Sequence, residues 1–430
     1  MKLDLQLALG AILLLSAVCA CAEEAVFQQL PARLAIGRDG LPNSLAKLQA
    51  GGPVTVAYIG GSVTAMEGWR TQTFEWLQKT YPQAQLTHIN AAIGGTGSDL
   101  GVFRYERDVL RHQPDLVFVE FAINDGGQPP HSILRQMEGI VRQTWRASPH
   151  TDLCYVYVYR AGLEKDLAHS MCPIPASCDE MIANHYGIPS INVALRTVQL
   201  WQAGKLQYVP EKGPDGEELP PPPGMILWSK DHIHPLPAGH QVYTDLIAQA
   251  LTFWAQSATP KPHPLPEPLV ADNWENAQLV PLSPSMLSSG WRELSKEEGL
   301  GQQFADRVPS LWTAGKPGEQ IHFKFKGTAV RLYDLIGPTG ALVNLTLDGE
   351  ALKPVPRFDW YGNWYRLAPM TIAMDLPEAV HEVTLTIDEK QPDRRVVTNR
   401  FKDDPDFDPK KYDGTDLWVA GLLIVGEIVD

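Results

Sequence analysis

The chain has 430 residues, which is long for one ordinary hydrophobic core and therefore predicts two domains. Its hydrophobic fraction of 44% and charged fraction of 20% are typical of a folded globular protein. A formal net charge of -14 and the lack of a basic stripe exclude nucleic acid as an expected partner, because phosphate binding requires clustered Lys and Arg side chains.

The N-terminal residues have the pattern of a secretory signal peptide. Lys2 precedes an apolar run from 7 to 18, and small residues follow this run. The run is short for a membrane span, so we expect residues 1–22 to be a cleaved leader and the mature protein to be secreted or periplasmic in a bacterium. An alternative is that Cys21 belongs to a lipobox-like sequence and carries a lipid, which would make the protein an outer-membrane or surface lipoprotein.

From Pro53 to about Trp254, strand-like and helix-like segments alternate. Apolar runs predict strands at VTVAYIGG, LTHINAAIGG, DLVFVEFAIND, LCYVYVY and IPSINVAL, and helical periodicity predicts helices over 69–79, 98–112 and 132–147. This alternation predicts an α/β domain, residues 30–257, built on a doubly wound parallel sheet with right-handed crossovers. Ligands bind such sheets beyond the carboxyl ends of the strands, where three of these strands carry candidate functional residues.

Two proline-rich segments interrupt this pattern. Residues 211–224, EKGPDGEELPPPPG, predict an exposed loop that either borders the substrate entrance or is a surface insertion. Residues 258–270 predict a semi-rigid linker. Beyond it, short alternating strands with turn signals predict an all-β domain over residues 271–430, a β-sandwich or jelly roll.

The chain contains 5 cysteines, two of which belong to the predicted leader. Cys172 and Cys178 flank a short loop with two prolines, and we expect them to form a disulfide in an oxidising compartment. Cys154 lies in an apolar strand-like run and is expected to be a buried thiol. The cysteine spacing does not resemble a zinc site.

Two glycine-rich turns follow the first two strands of the predicted sheet. Ser62 follows two glycines directly after the first strand, where a tight turn would expose its hydroxyl as a nucleophile. The same pattern also occurs in ordinary turns and in helix N-caps. The second strand ends in NAAIGG, residues 90–95, whose backbone N–H groups can donate to an oxyanion or can simply form a flexible turn.

Two polar clusters lie further along the chain. Asn124 and Asp125 end the third strand, where the amide can donate to the same oxyanion and the carboxylate can order the loop, although Asn-Asp-Gly is also a good turn. Asp231 and His234 are three positions apart, so the carboxylate can hold one ring nitrogen and leave the other as a general base. His232 and His234 could instead bind a metal ion, but no second ligand cluster accompanies them, so we predict neither a metal nor another cofactor.

The order of these clusters resembles that of the SGNH, or GDSL-like, hydrolases, over about half of the chain. The resemblance implies a flavodoxin-like SGNH fold and a catalytic triad in which Ser62 is the nucleophile, His234 the base and Asp231 its orienting carboxylate. It also implies an oxyanion hole formed by the backbone N–H groups of Ser62 and Gly95 and by the Asn124 side chain. The implied reaction is hydrolysis of carboxylic esters.

The match to the family motifs has three notable details. Gly95 is assigned in preference to Gly94 because it follows Asn90 by five residues, as the family pattern requires. The usual Gly-Asp-Ser reads Gly-Gly-Ser here, so the acidic residue that braces the turn is missing, and the usual Gly-x-Asn-Asp reads Ala-Ile-Asn-Asp over 122–125. Neither departure removes a reacting group. The G-x-S-x-G elbow of the larger α/β-hydrolase fold is absent around Ser62, so that fold is not expected.

With its predicted leader and its additional all-β domain, the chain resembles the carbohydrate-esterase-like branch of this family. The resemblance implies an acetylated polysaccharide or oligosaccharide as substrate, with removal of O-acetyl or related acyl groups. Residues near the motifs are expected to bind substrate, namely Trp69, Arg70 and Trp228. C-terminal aromatic residues supply either sugar-stacking faces or core packing: Trp312, Trp360, Tyr361, Trp364 and Tyr365. The alternatives are a lipase or thioesterase with an apolar acyl pocket, and a non-catalytic polysaccharide-binding surface protein.

Overall fold

The computed structural model describes residues 27–402 and 407–429. The predicted leader and Cys21 lie outside these described residues. Within them, no helix combines the length and the apolar character that a bilayer span requires.

The first half of the chain folds around a six-stranded sheet. Its strands are β1 (Ala35–Ile36), β2 (Pro53–Gly60), β3 (Gln85–Asn90), β4 (Leu116–Glu120), β5 (Asp152–Tyr157) and β6 (Ser190–Asn192). They lie in the order β1-β6-β5-β4-β2-β3, in which β1 is an antiparallel edge and the other strands are parallel. A separate two-stranded pair is formed by β7 (Leu206–Gln207) and β8 (Ile226–Leu227).

Helices connect the strands of this domain. They are α1 (Pro42–Gln49), α2 (Ser62–Ala65), α3 (Trp69–Thr80), α4 (Ser98–Asp108), α5 (Pro130–Ala147), α6 (Glu164–Leu167), α7 (Ile174–Tyr186), α8 (Val193–Gln202) and α9 (Pro237–Trp254), with short 3₁₀ helices at Leu110–His112 and Ala255–Ser257. Every residue of β4 and β5 is buried, as the continuous apolar runs of a sheet covered on both faces require. The predicted doubly wound α/β fold is therefore confirmed.

The strand order reverses at β2, because β3 pairs with one of its edges and β4 with the other. The carboxyl ends of these three parallel strands consequently lie side by side. The loops that leave them diverge to opposite faces of the sheet and open a crevice, which is where doubly wound folds bind ligands. The sequence clusters around Ser62, Gly95 and Asn124 follow β2, β3 and β4 respectively.

The second half of the chain is mostly β-structure. Its strands are β9 (Ala277–Val280), β10 (Arg292–Glu293), β11 (Trp312–Ala314), β12 (Gln320–Ile336), β13 (Leu342–Leu347), β14 (Glu350–Ala351), β15 (Val355–Pro356), β16 (Arg366–Leu367), β17 (Met370–Ala373), β18 (Ala379–Ile387) and β19 (Leu417–Val429). Two short helices, α10 (Gly299–Phe304) and α11 (Arg395–Phe401), and 3₁₀ turns at Pro284–Met286 and Pro409–Tyr412 accompany them.

The long strand β12 organises this all-β region. Its first half pairs with β18, its second half pairs with β17 and β16, and β19 runs beside most of its length, all antiparallel. The register between β12 and β19 shifts after Gly327 and after Tyr333, as it does where bulges bend a strand. A strand that bends in this way can serve two layers, so the arrangement is consistent with the expected β-sandwich.

The proline-rich segment 258–270 packs on the α/β domain. His263 is 6% exposed, and its Nε2 lies 2.8 Å from the Oδ1 atom of the fully buried Asp152. The same carboxylate accepts hydrogen bonds from the backbone and side chain of Ser44 and of Asn43, at 2.7 to 3.0 Å. Further along, the backbone N–H groups of residues 269 and 270 donate to Glu138. The segment is therefore held along its length.

The two halves of the chain also meet directly. Trp274 is 3% exposed, and its ring lies 5.1 Å from that of Phe103 and 4.8 Å from the Arg135 guanidinium. Arg331 of β12 donates to the Asp99 carbonyl at 2.8 Å and pairs with the Asp99 carboxylate at 3.0 Å. Apolar and ionic contacts together thus fix the β-region against α4 and α5.

The predicted disulfide between Cys172 and Cys178 is wrong, because both residues are free thiols. Cys172 precedes α7 and its sulfur points to the Pro31 carbonyl at 3.7 Å, whereas Cys178 lies inside α7 and its sulfur points to the Pro130 carbonyl at 3.7 Å. The two sulfurs therefore face different segments of the main chain. Cys154 is a buried free thiol, as expected.

The Asp152 cluster generates a stability prediction. Asp152→Ala leaves the buried donors of Ser44 and Asn43 without an acceptor and frees His263, so we expect the free energy of unfolding to fall by about 3 kcal/mol. Denaturation by guanidinium chloride measures this change. Asp245→Ala, at an exposed position on α9, is the matched control and should change stability by less than about 0.5 kcal/mol. Equal stability of the two variants would contradict the anchoring role.

Candidate active site

Ser62 lies at the start of α2, immediately beyond the carboxyl end of β2. Gly60 ends the strand and Gly61 is the extended residue before the helix, with φ -87° and ψ -155°. The first turn closes through the Ala65 N–H to the Gly61 carbonyl at 2.9 Å. A residue at the first position of a helix has no intrahelical partner for its backbone N–H, so the N–H of Ser62 is available to a ligand.

His234 lies between Ser62 and Asp231. Its Nε2 is 2.8 Å from Ser62 Oγ, and its Nδ1 is 2.6 Å from Asp231 Oδ2. Because an ionised carboxylate only accepts hydrogen bonds, Nδ1 carries the proton and Nε2 accepts the Ser62 hydroxyl proton. The side chains of His234 and Asp231 are 36% and 54% exposed, so the pair opens to solvent.

Several hydrogen bonds hold Asp231 in its ionised state. Burial opposes ionisation, but bonds from the His234 side chain, from the backbone N–H groups of His234 and Ile233, and from the Ser229 hydroxyl outweigh it and hold the pKa of Asp231 well below its usual range. Asp231 therefore remains a hydrogen-bond acceptor over the whole working pH range. Sequence reasoning missed Ser229, and no signal in its neighbourhood identifies it.

The loop after β3 lies against Ser62. Its backbone is attached to β2 by the N–H groups of Ala91 and Ile93, which donate to the carbonyls of Tyr58 and Gly60 at 2.8 and 3.1 Å. A Cβ atom on Gly94 would lie 3.5 Å from Ser62 Cβ. Gly95 follows with φ +76°, a left-handed conformation that favours glycine. The structure thus places the predicted Gly95 donor in the loop that borders Ser62.

Asn124 approaches the same turn from the end of β4. A Cβ atom on Gly61 would overlap the Asn124 side-chain amide, so the amide occupies the space that a larger residue at position 61 would fill. Asp125 is fully buried and accepts hydrogen bonds from Ser98 N and Oγ at 2.9 and 2.7 Å. These bonds attach the loop to the start of α4, and they leave the Asn124 side chain beside Ser62.

Three residues predicted to bind substrate lie inside the protein. Trp69 and Trp228 are fully buried, the first packed against Tyr58 and the second against Tyr159. Arg70 is 3% exposed and donates to the Thr64 and Ala65 carbonyls of α2. The prediction that Trp69, Arg70 and Trp228 contact substrate is therefore wrong: the tryptophans fill the core, and Arg70 ties α3 to the Ser62 helix.

From the sequence, the alternative was that His232 and His234 bind a metal ion. His232 is exposed, has φ +70°, and its carbonyl accepts a hydrogen bond from Ala161 N at 2.9 Å. Its role in the described structure is to shape the turn that presents His234. Among residues 27–402 and 407–429, no group of His, Cys, Asp and Glu side chains is arranged to hold a metal ion.

Two segments singled out in the sequence are largely exposed to solvent. The loop 211–224 is mostly exposed, and its Glu218 pairs at 2.7 Å with Lys230, the residue before Asp231. In the β-region Trp360, Tyr361 and Trp364 are about half exposed, whereas Tyr365 packs on Trp418. Trp312 lies in β11 and is partly buried.

A further acidic residue beneath the site was missed by sequence reasoning. Glu120, the last residue of β4, is 1% exposed and accepts a hydrogen bond from the Thr64 hydroxyl at 2.8 Å. The sequence does contain a signal for this residue, because Glu120 is the one charged residue in the apolar run LVFVEFAI. A charge at a fully buried strand position requires a specific partner.

Comparisons with known proteins agree with this architecture. Residues 58–242 match the model of the GDSL-like Lipase/Acylhydrolase family. Two crystal structures of a two-domain esterase active on acetylated mannans, one co-crystallised with mannopentaose, match with a TM-score of 0.67 at 21% and 20% identity, covering 90% and 89% of this chain and 94% of that chain. An acetylxylan esterase from Geobacillus stearothermophilus matches with a TM-score of 0.35 at 18% identity, over 47% of this chain and 97% of that chain.

No curated protein matches the chain. The likeness to the two-domain esterase extends over both halves and shows a shared fold. The family match covers the part of the sheet that carries the Ser62, Gly95 and Asn124 loops, together with Asp231 and His234. Residues 58–242 therefore match a GDSL-like lipase/acylhydrolase domain, and this match supports a serine hydrolase that acts on carboxylic esters.

Proposed function

We propose that the protein is a carbohydrate acetylesterase that uses Ser62, His234 and Asp231 as a catalytic triad. The observation that carries the proposal is the continuous hydrogen-bond chain from Ser62 Oγ to His234 Nε2 at 2.8 Å and from His234 Nδ1 to Asp231 Oδ2 at 2.6 Å. This geometry satisfies the requirement that the nucleophile contacts its base and that the base is oriented by a third group.

The proposed reaction is acyl transfer through Ser62. His234 removes the hydroxyl proton as Ser62 Oγ attacks the ester carbon, and Asp231 stabilises the resulting imidazolium without taking a proton. His234 then returns the proton to the departing sugar hydroxyl, which leaves an acetyl group on Ser62. A water molecule, deprotonated by His234, attacks this acyl-enzyme and releases acetate.

The oxyanion of each tetrahedral intermediate would be bound beside the Ser62 turn. The proposed donors are the backbone N–H groups of Ser62 and Gly95 and the Asn124 side-chain amide. Support comes from the free N–H at the start of α2, from the contact of the Gly94–Gly95 loop with Ser62, and from the Asn124 amide packed on Gly61. A donor of this type contributes about 3–4 kcal/mol to stabilisation of the transition state.

A cleft beside the site favours a carbohydrate over a long acyl chain. The cleft has a volume of about 450 Å³, and Ala65 and Gly94 at its inner wall flank Ser62. Beside the small and apolar residues of segment 89–93, polar and charged residues from both halves of the chain line the cleft: Asn90, Asp108, Arg111, His112, Asp306 and Arg307. Sugar hydroxyls can hydrogen-bond such a lining, whereas an alkyl chain would leave these groups desolvated and unpaired.

The substrate class also has support from fold and sequence. The structurally similar two-domain esterase is active on acetylated mannans, and we propose the same class of substrate, an O-acetylated polysaccharide or oligosaccharide, for this chain. We further propose that it acts outside the cytoplasm, on the strength of the leader-like residues 1–22, with lipid attachment at Cys21 as the alternative. A lipase or thioesterase remains the second candidate for the reaction.

The first prediction from the proposed function tests the nucleophile and the substrate together. Wild-type protein should release acetate from acetylated mannan, acetylated xylan and p-nitrophenyl acetate, and Ser62→Ala should lower each rate by at least about 10⁴-fold. An acetate assay measures the acetylesterase activity, and the rate of p-nitrophenyl palmitate hydrolysis measures activity on a long acyl chain. Comparing the two rates distinguishes an acetylesterase from a lipase. Equal rates for wild type and Ser62→Ala would refute the triad, and preference for palmitate would favour the lipase.

The second prediction concerns the space shared by Gly61 and Asn124. Gly61→Ala places a methyl group where the Asn124 amide lies, so we expect kcat to fall by about 10²-fold with little change in KM. Asn124→Ala should give a similar loss, and the double variant should be no slower than Asn124→Ala alone. Gly52→Ala, at a turn whose added methyl meets only ordinary contacts, is the matched control. Additive losses in the double variant would contradict the shared mechanism.

The third prediction concerns the polar cleft. Asp306→Ala and Arg111→Ala should each raise KM for acetylated oligosaccharides by about 10-fold, since each removes hydrogen bonds to sugar, and should leave hydrolysis of p-nitrophenyl acetate unchanged. Steady-state kinetics on both substrates measures this separation. Lys47→Ala, an exposed change at the opposite end of the sheet, is the control. Parallel losses on both substrates would show that the cleft does not bind the glycan.

A further inference from the structure

Glu120 contacts the Ser62 turn from below, at two points that flank the serine. The Thr64 hydroxyl donates to its Oε2 atom at 2.8 Å, and the Gly61 backbone N–H donates to the same carboxyl group. The other oxygen, Oε1, is buried and has no hydrogen-bond partner among the described residues. The carboxyl group therefore makes its contacts with the turn, and it is 1% exposed to solvent.

The backbone of β2 is shaped around the same residue. A Cβ atom on Gly60 would lie 2.4 Å from the Glu120 carbonyl oxygen and 3.1 Å from Glu120 Oε2. Any side chain at position 60 would therefore separate β4 from the turn. The first glycine of the Gly-Gly-Ser sequence allows the carboxyl group to reach Gly61 and Thr64.

The surroundings of Glu120 favour its protonated form. Burial raises its pKa to about 8, although the hydrogen bonds from Thr64 and Gly61 lower it, and the charge of Asp125 raises it further. The other ionisable groups that interact with it are Asp179 on α7 and Tyr243 on α9, which are acidic groups as well. At neutral pH, Glu120 is thus a neutral acid beneath the site of oxyanion formation.

We propose that Glu120 is a positioning residue for Ser62, which holds the Gly61–Thr64 turn through its carboxyl group in place of the bracing acid that position 61 lacks. The proposal rests on the proposed function, in which Ser62 is the nucleophile. Glu120 touches neither Ser62 Oγ nor His234, so it acts through the backbone of the turn. Its loss should therefore affect kcat, whereas KM should stay nearly constant.

The charge state of Glu120 gives the proposal a signature in the pH profile. Well below pH 8 the residue is neutral, so it adds no negative charge beneath the oxyanion. Above this pH a carboxylate with no cationic partner lies under the oxyanion, and the repulsion in a buried region opposes the transition state. We therefore expect the wild-type kcat to decline with a midpoint near pH 8.

The test compares Glu120→Gln with Glu120→Leu, using kcat and KM for p-nitrophenyl acetate between about pH 6 and 9.5. The Gln variant keeps an oxygen that accepts from Thr64 and Gly61 but cannot ionise, so it should stay within about 3-fold of wild type at pH 7 and lose the alkaline decline. The Leu variant has no acceptor and should lose at least about 30-fold in kcat with unchanged KM.

Matched variants separate this role from a merely structural one. Glu138→Gln changes another buried carboxyl group, which accepts hydrogen bonds from residues 269 and 270 and not from the turn, and it should leave the pH profile unchanged. Thr64→Val removes one of the two donors and should lower kcat by about 3- to 10-fold without unfolding the protein. Circular dichroism and thermal melting establish that each variant is folded.

Two outcomes would overturn the proposal. One is a folded Glu120→Leu variant with wild-type kcat, and the other is a Glu120→Gln variant that is as slow as Glu120→Leu at pH 7. If Glu120→Leu does not fold, the alkaline decline in wild type and its absence in Glu120→Gln decide the question alone. Labelling of Ser62 by a fluorophosphonate probe reports the nucleophile itself: no labelling of wild type would refute the proposed function, whereas normal labelling of Glu120→Leu would refute only the role of Glu120.

Discussion

The hydrogen bond between Ser62 and His234 joins residues that are 172 positions apart, so it exists only if the whole α/β domain brings them together. On the Ser62 side, β2 occupies the place in the sheet where strand order reverses, and its end is open between the loops of β3 and β4. On the His234 side, the turn is attached to the loop after β5 by the Ala161 N–H and continues into α9. The geometry of the site is therefore a property of the sheet.

The β-region reaches the same site through a chain of polar contacts. Arg331 binds Asp99, the neighbouring Ser98 is bound by Asp125, and Asp125 follows Asn124 in the loop that approaches Ser62. Burial raises the pKa of Asp125 to about 7, against the lowering effect of its bonds from Ser98 and Gln128. A segment outside the α/β domain thus supports the start of α4, on which the Asn124 loop depends.

The sequence predicted the elements whose physical signal is local and strong. Continuous apolar runs identify β2, β4 and β5, because strands covered on both faces admit few polar residues, and the alternating pattern of residues 271–430 identifies the β-region. The two-residue edge strand β1 and the short helices α10 and α11 were not predicted, since segments of this length carry no periodicity.

The predictions that were wrong concern the direction of side chains. Cys172 and Cys178 are close in sequence, but the helix that begins between them turns their sulfurs toward different carbonyls. Trp69 follows the Ser62 turn by seven positions, yet it lies on the face of α3 that packs into the core. Proximity to a motif along the chain does not specify which face of an element a residue occupies, and tertiary packing decides it.

The anchoring of segment 258–270 by Asp152 has a consequence for how this protein recognises its substrate. A linker bound along its length does not act as a hinge, so we expect the walls of the cleft between Gly94 and Asp306 to keep their spacing when a ligand binds. Binding in such a preformed cleft needs no domain closure and therefore costs little conformational entropy. Under the proposed function the β-region supplies one wall of the cleft, so we expect that exchanging it for an unrelated domain would change which acetylated glycans bind.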